Sequence, residues 1–148
     1  MVITPHMLVG AAIGVQSENI WTAFCFGLMS HYLLDFLPHW DYLKKIEIDK
    51  PSHFIKIFLD FILGVSIVIV LVWGFPQKLP ILFALLGALL PDVSEFFYSE
   101  FKIKFLRPFH NFHHKVHYWK RLPLSKGLPL TLFVSLSAVF IIILSKWG

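Results

Sequence analysis

The sequence predicts an all-α integral membrane protein, a helical bundle with four full spans and one short N-terminal helix. Three observations lead to this fold class: the composition, the spacing of long apolar stretches and the placement of the basic residues. The chain of 148 residues is 57% hydrophobic and only 15% charged, whereas soluble domains are about 45–50% apolar and about 25% charged. Its length fits a single domain, residues 1–148. This composition excludes a disordered chain, a coiled coil and most soluble enzymes.

Apolar stretches recur along the whole chain and define the predicted helices. The first, residues 3–15, is too short to span and fits a half-length helix packed inside the bundle. A spanning helix needs about 20 mostly apolar residues. Four longer stretches approach this length, and they cover residues 19–37, 55–75, 79–98 and 127–145. These four stretches predict the spans.

The basic residues indicate how the bundle is oriented. Eleven of the 13 Lys and Arg residues fall in two connecting segments, residues 38–56 and 99–127. Loops rich in Lys and Arg remain on the cytoplasmic side of a membrane. Both segments lie on one side if each long stretch crosses once. The sequence therefore predicts two cytoplasmic connections, of which residues 99–127 form a histidine-rich basic loop.

Polar side chains inside the apolar stretches fall toward the predicted cytoplasmic ends of the helices. Titratable groups within spans usually face the interior of the protein or a cavity. His31 and Asp35 are four residues apart, and Asp92 and Glu95 are three apart, so each pair shares a helix face. His6, His39 and Asp60 are placed at the same end. These positions predict one shared polar site at the cytoplasmic side.

Residues 110–117 contain the densest group of histidines. If this segment is helical, His110, His113, His114 and His117 form one stripe. Imidazole and carboxylate groups are good ligands for zinc, manganese or iron, and the single cysteine, Cys25, excludes a cysteine-based zinc cage. The stripe could alternatively belong to an interfacial helix that lies on the membrane surface. The carboxylates Asp35, Asp60 and Asp92 could alternatively form ion pairs with lysines of the connecting segments.

The sequence thus predicts a centre for a divalent metal, with zinc or manganese preferred over iron. The predicted metal ligands are His6, His31, Asp35, His39, Asp92, His113, His114 and His117. Catalytic or positioning roles are predicted for Asp60, Glu95 and His110. Because the site lies near the depth of the lipid headgroups, the expected partner is a membrane lipid or another amphiphilic substrate. Nucleic acid is not expected, since the net charge of +4 belongs to a strongly apolar chain.

Several short motifs resemble those of a known family. They occupy residues 4–6, 30–35, 38–41 and 89–92, and they include Pro5-His6, Ser30-His31 and Pro91-Asp92. In this order they resemble the membrane-bound metal-dependent hydrolases of the bacterial inner membrane, a family described from a LexA-regulated member. The resemblance implies a small helical inner-membrane protein with His and Asp metal ligands. It also implies hydrolysis of a phosphoester or a lipid.

Two other functions fit parts of the pattern. The spacing of His110, His113 and His114 also resembles the histidine box of membrane di-iron desaturases and hydroxylases. Carboxylates within spans also occur in ion or proton carriers. The predicted external halves of the helices contain only a few Ser and Thr residues as polar groups, and this argues against a path through the membrane. The oligomeric state is left open.

Overall fold

The computed structural model describes residues 2–43, 50–117 and 122–147, and within these ranges the chain is helical with no strand. In chain order the α-helices are α1 (Ile3–Val15), α2 (Ile20–Phe36), α3 (Pro51–Val72), α4 (Lys78–Phe101), α5 (Arg107–His117) and α6 (Leu124–Leu144). A 3-10 turn, Lys104–Leu106, precedes α5. Four basic residues that support the predicted orientation, Lys44, Lys45, Lys120 and Arg121, lie outside the described residues.

Three helices, α3, α4 and α6, are long and apolar enough to cross a bilayer. Helix α2 has 17 residues, which gives about 25 Å at 1.5 Å per residue, short of a hydrocarbon core of about 30 Å. Its start is set by Asn19, whose side-chain oxygen accepts hydrogen bonds from the N–H groups of Trp21 and Thr22. The all-α prediction is therefore confirmed, with three helices of spanning length among the described residues, and four full spans are not confirmed.

The exposed surface of the long helices is apolar. On α3, Leu59 and Val70 are exposed, and on α6 the same holds for Phe133 and Leu136. Exposed apolar patches this extensive are rare on soluble monomers. Contact with the lipid tails of a membrane explains why these apolar side chains lie on the surface.

Helix α1 lies in the middle of the bundle. It packs against α2, α3, α4 and α6, and its Met7, Leu8 and Ala11 are buried. On the α6 side, Ala138 and Ile142 belong to the same apolar core. The predicted short helix, residues 3–15, thus has the predicted bounds and is surrounded by protein, which is where a helix too short to span can be accommodated.

Helices α2 and α4 approach each other closely because glycines lie at their contact. A Cβ atom on Gly27 would overlap the carbonyl oxygen of Ala84, and one on Gly87 would overlap the carbonyl oxygen of Phe24. Close backbone contact between helices in membranes commonly uses small residues in this way. The contact brings His31, one turn after Gly27, next to the backbone of α4.

The predicted histidine-rich loop, residues 99–127, is helical over much of its length. It comprises the end of α4, the 3-10 turn, α5 and the start of α6, with residues 118–121 outside the described part. Helix α5 packs against α2 and α4. The four histidines of residues 110–117 therefore lie on a helix, as the spacing predicts, within the connection between α4 and α6.

Candidate metal centre

A buried carboxylate, Asp35, lies among four histidines. Its Oδ2 atom is 3.0 Å from Nε2 of His31 and 3.0 Å from Nε2 of His113. Its Oδ1 atom is 3.3 Å from Nε2 of His6 and 3.5 Å from Nε2 of His117. These histidines come from α1, α2 and α5, so the carboxylate joins the first two helices to a helix about 70 residues further along the chain.

One group of ligand atoms is formed by His31, Asp35, Asp92 and His113. The Nε2 atoms of the two histidines are 3.5 Å apart, and they lie 3.8 and 3.9 Å from Oδ1 of Asp92. Donor atoms around a tetrahedral zinc ion with bonds of about 2.0–2.1 Å are about 3.3 Å apart. The observed separations, together with those to Asp35, bracket that value, so this group fits a single divalent ion.

The hydrogen bond of His31 fixes which of its nitrogens can bind a metal. Its Nδ1–H donates to the carbonyl oxygen of Ala88 at 2.7 Å, so the Nε2 atom of the neutral ring carries a lone pair. That lone pair faces the Asp35 carboxylate, and two acceptors at this distance repel each other unless a proton or a cation lies between them. A backbone carbonyl that orients the other ring nitrogen is also typical of metal-binding histidines.

A second group is formed by Asp35, His39 and His117. The Nδ1–H of His39 donates to the carbonyl oxygen of Leu37 at 2.7 Å, which leaves Nε2 as the potential ligand. Burial lowers the pKa of His117 from 6.5 to about 4. The His117 imidazole is therefore neutral at pH 7, which is the state that binds a metal.

Asp41 was not among the predicted site residues, and it lies beside this second group. Its Oδ2 atom is 3.4 Å from Nε2 of His39 and 3.9 Å from Nδ1 of His117. The signal in the sequence was its place two residues after His39 in the motif at residues 38–41. Asp41 adds a third carboxylate to the centre, after Asp35 and Asp92.

The histidine stripe of α5 is divided between two carboxylates. Whereas His113 and His117 face Asp35, Nδ1 of His110 is 2.6 Å from Glu95 and Nε2 of His114 is 3.4 Å from Glu95. Residues three apart on an α-helix are offset by about 60° around the axis, so the stripe forms two adjacent rows. The structure thus places Glu95, His110 and His114 in a separate, more exposed group, whereas two of the four histidines, His113 and His117, lie against Asp35.

Asp60 lies at the N-terminus of α1, outside all three groups. Its carboxylate accepts hydrogen bonds from Ile3 N–H at 2.6 Å, Thr4 N–H at 3.3 Å and the Thr4 hydroxyl at 2.6 Å. The first N–H groups of a helix have no partner within the helix, and Val2 provides no side-chain cap. This geometry gives Asp60 the role of a cap supplied by a neighbouring helix, and its catalytic role stays a prediction.

The Tyr42 hydroxyl completes the surroundings of Asp60. It donates to Oδ2 of Asp60 at 3.3 Å. Burial raises the pKa of Tyr42, and the nearby Asp60 carboxylate raises it further. Tyr42 therefore remains protonated and available as a hydrogen-bond donor.

The structure brings most of the predicted metal ligands together. Those gathered around Asp35 are His6, His31, His39, Asp92, His113 and His117. The structure confirms that buried His and Asp groups of this chain could hold a metal ion. The preference for zinc or manganese stays a prediction.

No family model, no curated protein and no solved structure matches this chain. The resemblance to membrane-bound metal-dependent hydrolases therefore rests on the short motifs alone and stays a prediction.

Proposed function

We propose that this protein is a membrane-embedded, metal-dependent hydrolase that acts on a lipid or another phosphoester. The observation that carries the proposal is the position of the Asp35 and Asp92 carboxylates against Nε2 of His31, whose other ring nitrogen donates to the carbonyl oxygen of Ala88. An ionised carboxylate buried in a bundle is costly unless a cation offsets it. A divalent ion held by His31, Asp35, Asp92 and His113 offsets both carboxylates and uses the available lone pairs.

The first group has one open side. The side chain of Asp92 is 31% exposed, whereas those of His31 and Asp35 are 0% exposed. A catalytic metal site needs such an open position for water and substrate. A divalent ion bound there supplies a Lewis acid and lowers the pKa of a bound water to about 7.

We assign the proton of the attacking water to Glu95, from the neighbouring group of carboxylate and histidines. It lies three residues beyond Asp92, on the same face of α4, and forms a hydrogen bond of 2.6 Å with His110. In the proposed reaction Glu95 accepts the proton that water loses as its oxygen adds to the phosphorus or acyl carbon. The bond to the leaving oxygen then breaks, and Glu95 returns the proton to that oxygen. His110 orients the carboxylate throughout.

The setting suits an amphiphilic substrate. We propose that α2 is the fourth span and that both basic segments are cytoplasmic, in the inner membrane of a bacterium. The 13 Lys and Arg residues, most of them in those two segments, support this orientation. Lys102, Lys104 and Arg107 are exposed next to α5 and would attract an anionic headgroup.

A second candidate function is a di-iron oxidoreductase. The observation that favours it is the number of histidines around Asp35, because a nitrogen-rich centre also suits iron. Metal analysis separates the two. Iron with a visible absorption band and oxygen-dependent chemistry would favour the oxidoreductase, whereas zinc or manganese would favour the hydrolase.

The test combines metal content with hydrolysis. The purified protein in detergent is analysed by mass spectrometry for metals and is assayed on bis-p-nitrophenyl phosphate and on phosphatidylglycerol vesicles. Asp92→Asn should remain folded, bind less metal than the parent and lose hydrolysis. Glu100→Gln, on the same helix but outside the three groups, is the matched control and should retain both. An Asp92→Asn variant with full metal and full activity would overturn the proposal.

A further inference from the structure

We infer that the centre holds two divalent cations bridged by the carboxylate of Asp35, and that its substrate is a phosphoester in preference to a carboxylic ester. This inference rests on the proposed metal-dependent function and specifies it. The second ion would be bound by Oδ1 of Asp35 together with His39 and His117, and His6 lies beside the same Asp35 oxygen.

The two oxygens of Asp35 serve different histidines. Oδ2 faces His31 and His113 at 3.0 Å each, and Oδ1 faces His6 at 3.3 Å and His117 at 3.5 Å. A single ion bound by the first group uses only Oδ2. A carboxylate with two pairs of imidazole nitrogens on its two oxygens is arranged as a bridge between two cations.

Buried nitrogen atoms point to the second ion independently of these distances. His6 is 0% exposed and His39 is 1% exposed. Within the described residues, both ring nitrogens of His6 and the Nε2 atom of His39 are buried without a hydrogen-bond partner. Buried polar atoms are almost always satisfied. A cation at the second position would use the lone pair of His39 Nε2, which the bond to Leu37 leaves on that atom.

A pair of ions selects the class of substrate. Two-metal sites with ions about 3.5–4 Å apart are typical of phosphatases and nucleases, because they stabilise both the attacking and the leaving oxygen of an in-line displacement at phosphorus. Water adds to phosphorus, the bond to the alkoxide oxygen breaks, and the proton passes from the water to that oxygen. The exposed edge of Asp92 is the side from which the phosphate would enter.

The experiment counts manganese ions. The outer group of Glu95, His110 and His114 could bind an ion of its own, so all measurements use the His114→Ala background, where an exposed ligand is removed. Metal-free protein is titrated with Mn²⁺ and studied by electron paramagnetic resonance and by metal analysis. We expect two ions per chain and the signal of an exchange-coupled pair. His39→Ala and Asp92→Asn, added separately, should each leave one ion with an uncoupled signal.

Circular dichroism and thermal unfolding show whether each variant is folded, and a spectrum like that of the parent makes its metal count interpretable. A saturated parent with one uncoupled ion would overturn the two-ion inference, even if it hydrolyses phosphoesters. Two coupled ions without hydrolysis of bis-p-nitrophenyl phosphate would support the two-ion centre and contradict the hydrolase proposal. Hydrolysis of p-nitrophenyl acetate but not of the phosphodiester would contradict the assigned substrate class.

Discussion

Replacing Asp60 tests whether this carboxylate stabilises the bundle or takes part in the chemistry. The Asp60→Ala variant removes the acceptor for two backbone N–H groups and one hydroxyl at the start of α1. Loss of a capping side chain costs about 0.5–2 kcal/mol. Loss of a negative charge at a helix N-terminus adds about 0.3–1 kcal/mol. We therefore expect the free energy of unfolding to fall by about 1–3 kcal/mol.

The assay is equilibrium unfolding in mixed micelles of a mild detergent and sodium dodecyl sulfate, followed by circular dichroism. Tyr42→Phe is the matched control, because it removes only the longer contact of 3.3 Å, and its expected cost is below about 1 kcal/mol. Thr4→Val should couple to Asp60→Ala in a double-mutant cycle. The folded fraction of Asp60→Ala should retain the metal content of the parent. Unchanged stability combined with loss of metal would refute the capping role and restore a catalytic one.

Further predictions concern packing, protonation and metal removal. Gly27→Ala should destabilise the bundle by about 1–3 kcal/mol, because the new methyl group overlaps the Ala84 carbonyl, whereas Cys25→Ala, at an exposed position, should be neutral in the same unfolding assay. In metal-free protein His117 resists protonation until about pH 4, so acidification from about pH 6.5 to 4 should lower stability by up to about 3 kcal/mol. His117→Gln should flatten that pH dependence of stability. A variant whose stability falls as steeply with acidification as that of the parent would contradict the role of His117. Adding Zn²⁺ at about 100 times its dissociation constant should raise the free energy of unfolding by about 2.7 kcal/mol over the chelated protein; no shift in the thermal midpoint would count against a bound ion.

Much of the fold follows from local features of the sequence. Helix α1 ends at Val15 because the polar residues 16–19 follow it, and these residues also provide Asn19 as the cap of α2. Helix α4 runs beyond its predicted end at residue 98 because no breaker occurs until Lys102, which adopts a left-handed conformation at φ 51°. The bounds of α2 were also predictable, since Asn19 caps its start and Pro38 follows its end.

The candidate site was predictable only in part. The proximity of His31, Asp35 and Asp92 was predictable, because titratable side chains within apolar helices face the interior of the bundle and pair with one another there. The bonds between Asp60 and Thr4 join residues 56 positions apart, and no local pattern specifies such a pairing. The division of the α5 histidines depends on how that helix docks against α2 and α4, which helical periodicity alone does not determine.

The central position of α1 has a consequence for how the protein is synthesised. The helix that carries His6 is synthesised before α6, yet its burial depends on α6, whose Ala138 and Ile142 belong to the same apolar core. With 13 residues, α1 is too short to be held in the bilayer as a span of its own. We therefore expect α1 to remain at the membrane surface until the later helices have been inserted. A product that stops before α6 contains every residue of the candidate metal centre but lacks the α6 side chains that pack against α1.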